Sequence, residues 1–431
     1  MALDLTSFSS VLKTLYPKLT VQALTYRDNP FWAMVEKAED FYGANMVIPF
    51  RYADPETSRS RTVSTAITAR SSSSSKYAKV TLTRGHDFGA IQIDRETIMA
   101  SSNDAGAFLR ARQAEINAML NALGRSIAVS LFGNGSGVRG SMTVADYTVN
   151  AAVTLDEAND ITNFEVGQAL FVASNNPATG TAPTIVSSST TAYVVGINRD
   201  AGTITLAATY GGSAASPNTA FGVTLTNTTQ YFLLPAGDNV GFSSTSNSSA
   251  IAGLSAWLPT TAPTTGDNFF GLDRSVDAAR LAGIRYTGTG LPIEEALVKA
   301  AARVARDGGR PDTVFVNFNQ YSNLVTSLGS KARYTDRKVG DIGFASLVLY
   351  GPRGELNIVP DMNCPNGRAY MLQLDTWKFH SLLEAPHIVT EGNVSGALQE
   401  ASADAIQVRG AVWGQLACTA PGYNAVVTLD T

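Results

Sequence analysis

The stretch that decides the fold reads Asp104-Ala-Gly-Ala-Phe-Leu-Arg-Ala-Arg-Gln-Ala-Glu-Ile-Asn-Ala-Met-Leu-Asn-Ala-Leu-Gly-Arg-Ser-Ile-Ala-Val-Ser-Leu-Phe132. Apolar residues at 116, 120, 123, 127 and 131 recur at the spacing of one helix face. Ser102, Asn103 or Asp104 can cap its start and Gly133 can end it. At about 1.5 Å per residue such a helix is a rod of roughly 43 Å, far beyond the mean helix of about 11–12 residues. The sequence before it reads as extended, and the sequence after it as compact α/β or β structure. The spacing therefore predicts a spine to which an arm, a hairpin and two domains attach.

Working outward from the spine toward the N-terminus, residues 88–94 read as a strand leading into it. Before that, 61–84 read as a long hairpin, with strands at 62–68 and 77–83 rich in Thr, Val and Ile. Five serines, 71–75, make its polar tip. Arg59, Arg61, Arg70, Lys76, Lys79 and Arg84 gather here, with no acid between 57 and 84. Such a run is either a solvated basic loop or an arm reaching an acidic patch on a partner. Residues 1–60 are an apolar but poorly periodic arm, interrupted by Pro17 and carrying Asn29-Pro-Phe31-Trp32 and Met46-Val-Ile-Pro-Phe50. Apolar surface of this kind is expected to lie on other parts of the protein or on a neighbouring subunit.

Toward the C-terminus, Gly133-Asn-Gly-Ser-Gly-Val-Arg-Gly140 follows a helix end, which presents carbonyls. A phosphate loop needs the opposite end, so this stretch is a chain reversal. Residues 141–242 contain seven acids and one base, leaving 31 bases and 29 acids elsewhere. Short β-prone runs recur in it at 170–173, 192–197, 203–206, 221–225 and 231–234. The segment reads as an inserted all-β module, a small barrel or sandwich, and its acids carry no calcium-loop spacing. Residues 243–263 read as a Ser/Thr/Pro-rich linker. Beyond it the pattern is α/β: a helix over 292–308 with Pro292 in its first turn and Gly308 at its end, a buried strand at 313–318, a helix at 319–328, a hairpin over 347–359, and strands at 370–374, 377–389, 406–418 and 425–429.

Bulk properties narrow the function. The 431 residues make room for about two or three domains. Net charge is −4, so no positive excess exists to hold nucleic acid by counterion release. Charged residues are 16% of the chain against about 25% in ordinary soluble domains, which points to a polar neutral surface or to burial in subunit contacts. Cys364 and Cys418 form no metal or disulfide spacing, and a reducing compartment is expected. Neither a signal-peptide pattern nor an apolar run of the roughly 20 residues that span a bilayer is visible. His86, His380 and His387 are the only imidazoles, and the odd separation of the last two puts them on opposite faces of one strand. Asp336, Asp341 and Asp361 read as solvated or capping loop acids. No nucleophile–base pair, metal set or cofactor loop is legible, so no enzyme, catalytic residue, metal or cofactor is expected.

The ordered parts resemble a tailed-bacteriophage major capsid protein of the Hong Kong 97-like fold. The resemblance rests on Ala128-Val-Ser-Leu-Phe-Gly-Asn-Gly-Ser-Gly-Val-Arg-Gly140 after the spine, Gly253-Leu-Ser-Ala-Trp257, Arg310-Pro-Asp-Thr-Val-Phe-Val-Asn317 and Gly414-Gln-Leu-Ala-Cys-Thr-Ala-Pro421. It implies an α+β chain with an N-terminal arm (1–60), an extended hairpin loop (61–84), a peripheral domain with the spine helix (85–140), the β insertion (141–242), an axial domain (243–375), further peripheral strands (376–420) and a closing axial strand (421–431). It also implies hexamers and pentamers closing an icosahedral shell around double-stranded DNA without sequence-specific binding. Scaffolding and portal proteins would be partners, with room for a decoration protein, with assembly in the host cytoplasm and no membrane. Arg61, Arg70, Lys76, Lys79, Arg84, Phe31 and Trp32 are the candidate inter-subunit contacts. Some relatives crosslink a hairpin lysine to an asparagine of a neighbour; Lys76 and Lys79 could supply the lysine. The same fold serves encapsulin-like compartments, and a secreted β-rich binding protein is the alternative from a different class.

Overall fold

The computed structural model describes residues 29–55, 61–69, 74–94, 105–176, 183–186, 191–236, 250–328, 337–339, 344–389, 398–399 and 405–430. The spine is the helix Ala105–Phe132. It lies on a six-stranded sheet whose longest member is Ala405–Cys418. That strand pairs antiparallel with Gly85–Asp94, and also with Trp377–Ser381, His387–Ile388 and Leu398–Gln399. Ile116, Met119, Leu120 and Leu123 of the spine bury themselves with Val408 of the long strand. Gly89 and Gly410 sit opposite each other in the ladder. A Cβ on Gly410 would come 2.7 Å from Leu123 Cδ1, and one on Gly89 2.9 Å from Met119 Cγ. The glycine pair is what lets the helix approach the sheet so closely.

A second, seven-stranded sheet runs in the order Ile284–Thr287, Ala425–Thr428, Arg368–Leu372, Thr313–Val316, Gly354–Pro360, Phe344–Gly351, Arg337–Val339. Helices Ile293–Arg306 and Phe318–Leu328 cover one face, where Leu297, Ala300, Val304 and Leu324 meet Val314, Val316, Ile358 and Met371. The alternate residues Phe315, Val359, Tyr370 and Leu372 point to the other face and join the central core. Strand side chains alternate between faces, so a sheet covered on both sides reads as a continuous apolar run. All four residues of Thr313–Val316 are buried for this reason.

Residues 140–235 form a third unit. Its strands follow the order Gly140–Thr143, Gln230–Pro235, Ala169–Ala173, Ala192–Asn198, Thr203–Ala207, Ala152–Thr154. The two ends of that order meet through a bridge between Met142 and Leu155 and the Asp156 N–H bond to Ser141 O at 2.9 Å. The sheet thus closes into a six-stranded barrel, which leaves no long free edge. Its core, including Tyr147, Phe164, Leu170, Val172, Ile204 and Phe221, is a cluster of its own. The run 221–225, expected as a strand, is not one. Pro217–Phe221 is a short helix that starts after Ser216 and ends at Gly222, whose φ of 61° only glycine adopts readily.

Two further expectations are corrected. The supposed linker at 243–263 holds core: Ile251, Ala252, Leu254, Ala256, Trp257 and Leu258 are all buried, because this segment returns the chain from the barrel to the spine. The hairpin also has a different partner. Strand Lys76–Thr83 pairs with Asn45–Ala53, and Val63–Ala69 is a helix. Met46, Ile48 and Phe50 turn inward while Val47, Pro49 and Arg51 turn out. This period-2 pattern can seal one face onto the core, where Val80 and Leu82 also bury; in 63–69 Val63 and Ile67 fall four residues apart, the spacing of a helix face.

Buried polar side chains fix how these parts meet. Gln415 accepts the Ala252 N–H at 2.8 Å and donates to Thr83 O at 3.2 Å. Fully buried Asn424 accepts from Trp377 Nε1 at 2.9 Å and from the Gln373 N–H at 2.8 Å, and donates to Thr376 Oγ1 and Ala420 O. Asn424→Ala would leave several of these groups unpaired in the interior. It should lower subunit stability by about 2–4 kcal/mol, measured by urea unfolding.

Candidate assembly surfaces

Directly opposed residues of an antiparallel pair share a face. On the outward face of the 45–53/76–83 pair, Val47 stands opposite Thr81, Pro49 opposite Lys79 and Arg51 opposite Tyr77. Val47 is 55% and Tyr77 67% exposed. The ribbon is tied to the body of the chain by the Thr81 N–H bond to Phe270 O at 3.0 Å and by a hydrogen bond from Arg280 to Tyr52 O. The result is a ribbon with an apolar and basic outer face. Beyond it the helix Val63–Ala69 exposes Val63 and Ile67. Arg61, Lys76 and Lys79 are exposed on this arm. Arg70 lies outside the described residues. Arg84 is half-buried with its guanidinium 5.6 Å from the Phe41 ring centre, so its own chain already holds it. Val47, Pro49, Arg51 and Tyr77 were missed as surface candidates; the signal was the alternation of 45–53 around Pro49, which forbids a central strand position.

Phe31 and Trp32 are corrections. Both are buried within this chain and present nothing to a neighbour. They belong to the helix Pro30–Met34. The Phe31 ring packs 5.4 Å from Phe132 and 5.1 Å from Phe315, centre to centre, and Trp32 packs edge-on at 4.8 Å from Phe379. The arm is thereby wedged where the spine, the seven-stranded sheet and the six-stranded sheet that carries Trp377–Ser381 converge. Strand Glu36–Ala38 then adds in parallel to Trp377–Ser381, with Glu36 paired to Lys378 at 2.7 Å. Lys37 lies 4.8 Å from the Trp32 ring centre, and burial brings its amine down to about 8. His380 meets Asp40 at 2.6 Å, and His387 packs against Trp413.

The barrel is fastened to the spine by charge. Arg125 and Arg199 both pair with Glu165, and Arg139 donates to Ser126 O and Oγ. A groove runs along the junction of the barrel, the spine end and the seven-stranded sheet, with Glu157, Asp160, Asn163, Phe132, Asn317 and Asn363 among its lining. Burial, then the charges of Glu157 and Asp156, push the Asp160 carboxyl up to about 7. Among the described residues no group of three or more His, Cys, Asp or Glu gathers to hold a metal, and no helix is long and apolar enough to cross a membrane. Cys364 and Cys418 are buried free thiols, both pushed upward by burial.

Residues 236–402 match the family model described as SU10 major capsid protein. No curated protein matches the chain. Among solved structures, the chain is similar to the Cyanophage A-1(L) capsid asymmetric unit at 11% identity, covering 93% of this chain and 92% of that one, with a TM-score of 0.49. A structure from Mycobacterium phage Bobi aligns at 11% identity over 94% of this chain and 91% of that one, with a TM-score of 0.43. One from Microbacterium phage Oxtober96 aligns at 12% identity over 94% and 91%, also at 0.43.

The loop acid Asp361 is buried rather than solvated. It accepts the Asn363 N–H at 2.9 Å and the Phe31 N–H at 3.4 Å, clamping the arm helix to the end of strand Gly354–Pro360. Burial outweighs these bonds and pushes its carboxyl up to about 6. A folded-state value above the unfolded one means the native state holds the proton more tightly. The associated stability is present below the ordinary carboxylate range and is lost as pH rises through about 6. Asp361→Asn removes that ionisation. Relative to the parent, the variant should gain on the order of 1 kcal/mol between pH 5 and pH 8, measured by chemical unfolding at the two pH values.

Proposed function

We propose, for a chain that is a tailed-phage major capsid protein with the Hong Kong 97-like fold, that its copies associate as hexamers and pentamers and close into an icosahedral shell around double-stranded DNA. The family match across 236–402 carries this reading. The hairpin supports it physically, since its outer face exposes Val47 and Tyr77 beside Lys79. Such a face gains by burial against a neighbour, and obligate contacts of this kind commonly exceed about 2,000 Å². A net charge of −4 suits a wall that encloses DNA without gripping it. In this reading a separate scaffolding protein guides assembly, a portal occupies one vertex, and the acidic barrel stands away from the DNA as an outward or intercapsomer module.

Arg61, Lys76 and Lys79 are assigned to acids on an adjacent subunit. Each exposed pair is worth only about 0.2–1 kcal/mol, but every subunit of a closed shell repeats it. Co-expression with the neighbouring genes, followed by negative-stain microscopy and sedimentation velocity, should show closed shells or uniform capsomers; a monomer under every condition overturns the reading. The triple variant Arg61→Ala/Lys76→Ala/Lys79→Ala should fold normally yet yield roughly tenfold fewer shells, a loss of about 1.4 kcal/mol. A normal shell yield would refute the charge assignment alone.

A further inference from the structure

Charge is balanced locally over much of this chain and left open at two places of opposite sign. Glu36 pairs with Lys378 at 2.7 Å, Asp267 with Arg274 at 2.7 Å and Glu295 with Lys299 at 2.6 Å. The hairpin is the first exception. Arg51 is taken by Asp54, but Arg61, Lys76 and Lys79 are exposed and make no ion pair among the described residues. Lys79 lies on the outer face between Val47 and Tyr77, and Lys76 at its end.

The barrel is the second exception. Residues 141–242 hold one base, Arg199, and Glu165 already takes it. Asp156, Glu157 and Asp200 are exposed and have no ion-pair partner among the described residues. The fold gathers them at one end. Asp200 lies in the turn between strands Ala192–Asn198 and Thr203–Ala207, and this turn packs on 155–158. The Leu155 N–H donates to Gly202 O at 3.0 Å, and a Cβ on Gly202 would come 2.9 Å from Ala158 Cα. The Arg199–Glu165 pair draws in a third stretch, where Val166 is 64% exposed and the Tyr210 ring, 76% exposed, stands against Gly167. This end of the barrel is therefore apolar with an acidic rim, and the outer face of the hairpin is apolar with a basic one. Within one subunit the two are not joined. No hydrogen bond or ion pair links Lys76–Thr83 to the barrel among the described residues; the hairpin is held at Phe270 and Arg280, and the barrel at Arg125 and Ser126 of the spine.

We propose that the outer face of the hairpin docks on the acidic end of the barrel of a second copy of this chain, with Lys76 and Lys79 against Glu157 and Asp200, and with Val47 and Tyr77 meeting Val166 and Tyr210. This rests on the shell reading and supplies the partner surface that reading leaves open. Opposite potentials steer the approach and fix the register, while the apolar residues beside them supply burial. Each subunit gives a hairpin and receives one. Such a head-to-tail contact uses two different patches and closes into rings when the rotation between copies allows it. The barrel is then a shell-joining element, and its acidity is one half of an interface.

The test is reciprocal charge reversal in the full-length protein, co-expressed with its neighbouring genes and scored by shell yield. Lys76→Glu/Lys79→Glu and Glu157→Lys/Asp200→Lys should each lower the yield by roughly tenfold or more, because like charges then face each other. The variant carrying all four changes should recover to within about threefold of the parent, since the pairs are restored with their signs exchanged. Failure to recover, in subunits that unfold in urea as the parent does, overturns the docking. A disulfide trap decides the case in which the fourfold variant folds poorly. Lys79→Cys/Glu157→Cys in assembled shells should give, on mild oxidation, a ladder of dimers and larger multimers, against a low background because both native thiols are buried. Monomers alone, crosslinked internally or not at all, overturn the docking as well. A parent that forms no shells removes the shell reading first and this inference with it; parent shells with neither recovery nor a ladder remove the docking alone.

Discussion

The structure depends on how closely the chain can return to the end of its own spine helix. It leaves the spine at Gly133 and comes back, after the barrel, at Gly253. A side chain at Gly253 would overlap the Leu131 carbonyl, so only glycine permits the approach. Two residues on, Ser255 Oγ donates to the Phe132 carbonyl at 2.6 Å and lies 2.7 Å from the Tyr370 hydroxyl. One of the carbonyls that every helix end leaves unpaired is thereby used to join the spine to the seven-stranded sheet. Trp257 then fills the centre of the molecule, with its Nε1 donating to Leu416 O at 3.1 Å and its ring against Phe269 and Trp377.

The same point is secured from a third direction by Arg274. Its side chain is buried beside Asp267, with Nε to Oδ2 at 2.7 Å, and it donates to Ala256 O at 2.7 Å while covering the Phe269 ring. A buried ion pair is weak evidence for stability in itself. Here its geometric content matters more, because the guanidinium fixes the turn after Trp257 and positions Phe269 and Phe270, against which the hairpin strand 76–83 is held. The arm helix enters this core with Phe31 and Trp32. One compact centre thus sets the direction of the spine, of both main sheets and of the hairpin.

That division explains how a chain with few charges can be both well folded and suited to association. Its own large aromatics, Phe31, Trp32, Trp257 and Trp377, are spent on the centre. What remains exposed and apolar on the hairpin is Val47, Val63, Ile67 and Tyr77, on an extended ribbon far from neutral in local charge. Association through such an element need not disturb the centre, so subunits can be stable before they join.

Periodicity made the spine legible, since a single apolar face recurs from Ile116 to Leu131, and it made the helix Ile293–Arg306 and the buried strand Thr313–Val316 legible as well. The acidic composition and short β-prone runs of 141–242 pointed to β structure, and buried residues from Met142 to Leu233 share a hydrophobic cluster. The sequence also showed that Phe31, Trp32, Met46, Ile48 and Phe50 must be covered, but not by what. Apolarity specifies burial and leaves the partner open, and only the packed chain brings Phe31 between Phe132 and Phe315 and lays 45–53 beside 76–83. The same holds for 62–68, whose Thr and Val content suits a strand, yet Val63–Ala69 is a helix that leaves Val63 and Ile67 exposed. Asp361 looked like any loop acid until the arm crossed it. What tertiary structure alone decided were the long-range pairings, because each is a choice among apolar surfaces that local sequence cannot rank.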